Sequence, residues 1–324
     1  MSSNRSDVSL TIVNWNSMKY IDQCLSSIER QTHRPLEIII VDNCSTDGSL
    51  EHIKKVYPHI RLIENKDNSG FSRAHNQAFR VARGDFIIPL NYDIVLEPMF
   101  IEEMVNAANE NDDIGMVSGK LFKKIEEDKT SILDSTGITM NNMFSADRGE
   151  NENDNGRFNK CEFLFGASGA APLLKKEMLE DIKIGNEYFD EDLFIYVEDV
   201  DLCWRAQLFG WKCIFTPHAV AYHERGATRK DSEKIKREYL TIGYRNRYLA
   251  IFKNSFAGTI IRYFPRILFR ETYFFTAHLL NGNFFIFNVP FSTLAMIPKM
   301  IKKRREIRKK RKVTADYMEK FFFQ

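Results

Sequence analysis

Up to Gly115 the chain alternates short apolar runs with apolar positions spaced as on a helix. Val8–Asn14 reads as a strand, and Ile21, Cys24, Leu25 and Ile28 then recur at helical intervals. Leu36–Val41 contains the unbroken run Ile38-Ile39-Ile40-Val41. Such a run suits a strand buried on both faces, as in a parallel sheet covered by helices. Ile60–Glu64 and Phe86–Leu90 predict two further strands. Between them, a helix over Phe71–Ala82 carries Ala74, Ala78 and Ala82 at i, i+4 and i+8, which allows close packing. Met99–Asn109 gathers Phe100, Ile101, Met104, Val105 and Ala108 on one helical face. Strands alternating with helices predict an α/β fold of doubly wound type.

After Gly115 the rhythm changes. Lys123–Lys160 is polar and rich in Asn, Asp and Glu, which predicts a β-excursion and a mobile surface loop over Arg148–Lys160. Order returns at Cys161–Leu174, and Val197–Phe209 reads as a helix stopped by Gly210. Ile214–Phe215 and Ala219–Tyr222 predict strands, and Ser232–Phe252 a helix with Ile235, Tyr239, Ile242, Leu249 and Phe252 on one stripe. From Phe256 the composition becomes aromatic and apolar, and no formally charged residue stands between Glu271 and Lys299. That length could span a bilayer. Asn281-Gly282-Asn283, Asn288 and Pro290 interrupt it, which favours two interfacial helices instead. Lys302–Lys312 follows as nine basic residues against one acid.

Composition adds limits. A net charge of +2 gives no bulk reason to expect nucleic acid. The five cysteines are odd in number, scattered and without CxxC, which suits reduced thiols. Met1–Asn16 has no basic region followed by a long apolar run, so no secretory signal is expected. The predicted division is an α/β domain over residues 1–252, in two halves at about 1–118 and about 119–252. A helical, membrane-associating basic segment follows over 253–324.

A doubly wound sheet binds ligands beyond the C-terminal ends of its strands, so the chemistry is sought there. The first strand ends in Val13-Asn14-Trp15-Asn16 rather than GxGxxG, which argues against a dinucleotide site. The second ends in Asp42-Asn43, side chains able to bond a base imide or a ribose hydroxyl. The Ser45-Thr46-Asp47 stretch that follows reads equally well as a helix cap. Gly70 before a helix permits a tight turn with amides facing a phosphate, and Arg73 adds charge. The strand ending in Leu90-Asn91-Tyr92-Asp93 delivers one carboxylate, enough to share a hard divalent cation with a diphosphate.

The densest segment is Phe189-Asp190-Glu191 through Glu198-Asp199-Val200-Asp201. Acids in a first helical turn can be plain dipole electrostatics. The surrounding Phe189, Phe194 and Tyr196 suggest more, namely a partly desolvated carboxylate acting as general base. His223 follows at a strand end. Lone histidines are usually structural unless a metal site has its own case.

In order, these pieces resemble the inverting GT-A glycosyltransferases of family 2, especially the bacterial rhamnosyltransferase-like members. The matching stretches are IVNWN, VDNCSTDGS, NSGFSRAHN, LNYD, Gly166-Ala167-Ser168-Gly169 to Lys175-Lys176, FDEDLFIYVEDVDLCWR, Gly210-Trp211, HERGAT and YRNRY, over residues 8–252. The resemblance implies that Val13, Asn14, Asn16, Asp42, Asn43, Gly70, Arg73, Asn91 and Asp93 hold the nucleotide sugar. It implies Mg²⁺ or Mn²⁺ on Asp93 and His223, with Asp199 as base beside Glu198. Asn91 replaces the first acid of a full DxD, Tyr92 stands where proline is usual, and Lys175-Lys176 replaces a pair of arginines. The implied reaction moves a sugar, rhamnose first, from a dTDP- or UDP-sugar to a lipid-linked saccharide acceptor for bacterial surface polysaccharide. The implied place is an anionic membrane surface, on the cytoplasmic face of the plasma membrane. A homodimer is left open, as are a sugar-nucleotide nucleotidyltransferase and a non-catalytic nucleotide-sugar-binding subunit.

Overall fold

The computed structural model describes residues 6–125, 128–225 and 233–322. Its centre is a mixed sheet. β1 (Val8–Asn14) lies between β2 (Glu37–Asp42) and β4 (Phe86–Leu90), parallel to both, and β3 (Arg61–Glu64) extends the sheet beyond β2. Val8, Leu10 and Ile12 point one way and Ser9 and Thr11 the other, and all five are buried. The apolar runs are therefore covered on both faces, as their composition requires. Helices α1 (Ile21–Glu29), α2 (Ser49–Val56) and α4 (Phe100–Ala108) contribute to one apolar cluster. A second cluster forms from α3 (Gly70–Val81), α5 (Lys176–Ile182) and α6 (Glu198–Leu208).

The second half adds strands of both directions. β5 (Ile94–Leu96), β6 (Ile114–Ile125), β7 (Asp128–Ser135), β10 (Glu162–Leu164), β11 (Leu173–Lys175) and β12 (Lys212–His223) complete the sheet. Its main order is β10-β12-β6-β11-β4-β1-β2-β3. β5 pairs with β12 and β7 with β6, while β8 (Ile138–Asn141) and β9 (Phe144–Asp147) form a separate hairpin. The strands predicted at Ile214–Phe215 and Ala219–Tyr222 are one strand, β12, with a register shift between Phe215 and Val220. The loop at Arg148–Lys160 is held at both ends rather than hanging free. Leu133 and Glu152 share a backbone hydrogen bond of 2.8 Å, and Asp154 and Asn159 both accept from the buried Lys120 Nζ.

Four α-helices follow among the described residues: α7 (Glu233–Asn254), α8 (Ala257–Leu280), α9 (Asn288–Lys310) and α10 (Ala315–Phe322). Residues 226–232, which take in the last three positions of the HERGAT match, lie outside the described residues. Ile307 and Met318 are buried in the main core, and Phe321 packs on Phe165 with ring centroids 5.8 Å apart. The basic run is partly consumed in the same way. Lys303 pairs with Asp190, with Glu187 at 2.9 Å and with Asp192 at 3.0 Å, and Lys312 pairs with Asp181 at 3.1 Å. Lys302, Arg305, Arg308 and Lys309 stay exposed. α8 and α9 leave an apolar face uncovered that includes Phe264, Phe269, Tyr273, Leu280, Phe291 and Leu294, with Phe269 at 79% exposure. Phe284–Lys310 is long and apolar enough to cross a membrane by length and composition.

Candidate active site

An open cavity of about 310 Å³ lies beyond the C-terminal ends of β1 and β4 and is closed on the far side by the start of α6. Val13, Asn43, Gly70, Asn91, Asp93, Glu198, Asp199 and His223 line it, together with Trp15, His75, Gly169 and Arg225. The sheet register explains the meeting of residues distant in sequence. β5 pairs antiparallel with β12, His223 opposite Ile94, and Glu224 N–H donates to the Asp93 carbonyl at 3.0 Å. His223 Nε2 thus comes to 3.2 Å from Asp93 Oδ1. Its Nδ1 lies 2.8 Å from Asp134 Oδ2. Burial works against the imidazolium charge, but Asp93 and Asp134 outweigh it and raise the His223 pKa to about 9.

Charge pairing separates the acids around the helix start. Asp190 pairs with Lys253 and Lys303, Glu191 with Arg80 at 2.9 Å, and Asp192 with Lys299 at 2.8 Å. Asp201 pairs with Arg205 at 3.0 Å and Lys253 at 2.8 Å, fully buried. Among the described residues Glu198 and Asp199 are the two acids of this segment without a cationic partner. Desolvation raises both pKa values, Glu198 well above the ordinary range, and Asp147 adds to the rise at Asp199. Asp199 Oδ2 accepts the Gly169 N–H at 2.8 Å and Oδ1 accepts that of Val200 at 2.7 Å, which counter part of the rise. Glu198 Oε2 is buried and has no hydrogen-bond partner among the described residues. A carboxylate kept basic by desolvation and steadied by backbone N–H groups, as Asp199 is, is what proton abstraction from a hydroxyl requires.

The loop before α6 is strained. Phe194, Tyr196 and Val197 all have positive φ, at 65°, 66° and 71°, and a β-branched valine there is uncommon. Asn246, in the YRNRY stretch on α7, holds this loop. Its Nδ2 lies 2.6–2.9 Å from the carbonyls of Leu193, Ile195 and Tyr196. Gly70 is needed for the same loop. Its φ is +80°, and a Cβ added there would stand 2.4 Å from Phe194 Cδ2. The Gly70 amide donates to Asn68 Oδ1 at 3.0 Å, so it is already satisfied.

The structure does not bring every predicted residue to the cavity wall. Asn14 and Asp42 are buried behind it, with Asn14 Nδ2 donating to Asp42 Oδ1 at 2.6 Å and Ser45 N–H donating to Asp42 Oδ2 at 3.1 Å. They brace the end of β1 against β2, where they are register partners. Asn16 accepts the Thr46 N–H at 2.8 Å on the rim, and Arg73 is exposed on α3. Lys175 and Lys176 bond the carbonyls of Asp112 and Ala82 instead of facing the cavity. Trp15, His75 and Arg225 are among the cavity residues that had no role in the sequence reading. Trp15 and Arg225 sat inside quoted stretches, and His75 reads as an ordinary helix position. His75 is fully buried among Phe71, Phe79 and Phe189, and desolvation lowers its pKa to about 3, so it is neutral.

Comparisons with known proteins agree with this architecture. An uncharacterized glycosyltransferase of Haemophilus influenzae is 34% identical over 131 residues, 40% of this chain and 40% of that protein. An N-acetylglucosaminyl-diphospho-decaprenol L-rhamnosyltransferase of Mycobacterium tuberculosis is 24% identical over 239 residues, 68% of this chain and 76% of that protein. The match thus spans about two fifths of the first relative's length and three quarters of the second's. Among solved structures, GalNAc-T7 with UDP, GalNAc and Mn²⁺ superposes with a TM-score of 0.59 at 15% identity, covering 78% of this chain and 48% of that one. S. aureus TarS in complex with UDP gives 0.51 at 19% identity, covering 77% and 67%. These likenesses establish the GT-A fold. The family model described as glycosyl transferase family 2 matches residues 9–182, which is more than half of the 324, and the chain therefore belongs to that family of glycosyltransferases.

Proposed function

We propose that the chain is an inverting transferase that moves a sugar, rhamnose as the leading choice, from a dTDP- or UDP-sugar to a lipid-linked saccharide acceptor. The observation that carries this reading is the cavity itself, where the Asp93–His223 pair and the half-buried Asp199, without a cationic partner among the described residues, face one space. Adjacent donors on an octahedral cation at about 2.1 Å stand about 3 Å apart. The 3.2 Å between Asp93 Oδ1 and His223 Nε2 fits two such donors. Among the described residues no group of three or more such side chains could hold a metal on its own, so diphosphate and water oxygens would complete the shell. Mn²⁺ or Mg²⁺ held there would offset the charge on the departing diphosphate.

The chain's own residues would do the rest. Asp199 accepts the acceptor hydroxyl's proton as that oxygen attacks the anomeric carbon from the face opposite the diphosphate, whose bond to that carbon breaks. Gly169 holds Asp199 in place, and the Phe194–Tyr196 wall limits water. The lipid-linked acceptor and rhamnose draw support from the mycobacterial relative's name. The uncovered aromatic face of α8 and α9, with exposed Arg305, Arg308 and Lys309 nearby, supports docking on an anionic, cytoplasmic membrane surface.

A thermal-shift screen of dTDP- and UDP-sugars with and without Mn²⁺ tests donor binding. A ligand at 100 times its Kd adds about 2.7 kcal/mol. The expected result is a shift that needs both nucleotide sugar and cation. Shifts of equal size without cation would refute the Asp93–His223 role.

A further inference from the structure

Asp134, on β7, is fully buried and does not line the cavity. A carboxylate taken out of water is costly without partners, and Asp134 has two. His223 Nδ1 is 2.8 Å from its Oδ2. Arg225 Nε is 2.7 Å from its Oδ1, as an ion pair without hydrogen-bond alignment. Arg225 goes on to Asp147 at 2.6 Å and Glu150 at 3.3 Å, tying β7, β9 and the turn after it into one brace. The His223 imidazole stands between this brace and the cavity, with Nε2 facing Asp93.

The geometry assigns Asp134 the role of positioning residue for His223, an assignment that rests on the cation site proposed above. By accepting a hydrogen bond from Nδ1–H, Asp134 leaves Nε2 as the nitrogen available to a cation beside Asp93. A carboxylate behind a ligating histidine fixes ring and tautomer together, and its removal typically costs 10–100-fold in metal affinity. Arg225 offsets part of the charge that Asp134 carries. The β-excursion thereby serves the site, because β7 brings Asp134 against the side of His223 that faces away from Asp93.

The test is Mn²⁺ binding by the full-length protein, read as free Mn²⁺ by electron paramagnetic resonance, with nucleoside binding measured separately. Asp134→Asn keeps the volume, but its amide can turn its NH₂ to Nδ1 and drive the proton to Nε2. Mn²⁺ affinity is expected to fall 10–100-fold, with nucleoside binding unchanged. Arg225→Gln removes the ion pair but keeps the Asp134–His223 hydrogen bond, and is expected to hold Mn²⁺ within a few-fold of wild type. An Asp134→Asn protein that binds Mn²⁺ like wild type, or an Arg225→Gln protein that loses as much, would overturn the assignment. Asp93→Ala and His223→Ala are the controls: unchanged Mn²⁺ binding in both would remove the cation site itself. If Asp134→Asn does not fold, ¹⁵N shifts of His223 in the Mg²⁺-loaded wild type decide. A protonated Nδ1 supports the assignment and a protonated Nε2 overturns it.

Discussion

Asp199→Asn replaces the proposed base by an amide of the same size. A general base contributes roughly 10²–10⁴-fold, or about 2.7–5.4 kcal/mol at 1.36 kcal/mol per decade. The cost to the fold should be smaller. Of the two N–H groups that Asp199 accepts, from Gly169 at 2.8 Å and Val200 at 2.7 Å, an asparagine oxygen can keep one. Leaving the other unpaired costs about 1–3 kcal/mol. Against that, burial raises the folded pKa of Asp199, so its ionised form costs stability at neutral pH and the amide removes this cost. The net change is small beside the roughly 5–15 kcal/mol of a typical domain. The variant should therefore fold, bind donor and turn over slowly. The pH profile gives a second reading. The base works only when ionised, so the wild-type rate should fall as pH is lowered through an apparent pKa above the ordinary 3.8, and this limb should vanish in the variant. The assay is single-turnover transfer with donor affinity measured alongside. Activity within a few-fold of wild type would refute the assignment. Glu198, unpaired on the same cavity, would then be the next residue to change; Asp201 would not, because Arg205 and Lys253 neutralise it.

Three further outcomes follow from the same geometry. Asp93→Ala should weaken nucleoside-diphosphate binding in Mn²⁺ far more than bare nucleoside binding by calorimetry, and equal losses would contradict the shared cation. Asn246→Ala removes the amide that holds three loop carbonyls, of which Leu193 keeps the Ile195 N–H, so melting should register a loss of about 1–3 kcal/mol. Turnover should fall more than donor binding, because the loop leads into Asp199, and unchanged turnover would argue against that coupling. Replacing Phe264, Phe269 and Phe291 by Ser should release the protein from anionic liposomes in flotation, with stability almost unchanged because these side chains are exposed. Retained binding would argue against an interfacial face on α8 and α9. Deleting residues 256–324 instead would also remove Ile307, Met318 and Lys303 from the core and from Asp190, so membrane and folding effects would be mixed.

The α/β core was legible because its signal is local. Ile38–Val41 names a doubly covered strand, and the alanines of α3 name a close-packed helix without reference to any neighbour. Asp93, Asp199 and His223 were legible as ends of such elements. Other features depend on pairings that no local pattern carries. That Asn14 and Asp42 spend their hydrogen bonds on each other follows from the β1–β2 register. Apart from the Asp201–Arg205 pair one helical turn apart, the neutralisation of Asp190, Asp192 and Asp201 depends on lysines 52 or more residues away in the chain, at 253, 299 and 303. The basic run suggested a membrane anchor from composition alone, and the structure commits part of it to these acids. Asp134 lay in a polar stretch read as a surface excursion, and only the β6–β7 and β5–β12 pairings carry it to His223.

The most direct test is turnover on a defined acceptor. The purified full chain, with Mn²⁺ and dTDP- or UDP-sugars, is mixed with a polyprenyl-diphosphate N-acetylglucosamine, and products are followed by mass spectrometry and NMR. The account predicts a glycolipid heavier by one sugar, one nucleoside diphosphate released per transfer, and an anomeric configuration opposite to the donor's. Retained configuration would contradict the inverting mechanism. Donor bound tightly but never transferred to any lipid-linked acceptor would contradict the central claim.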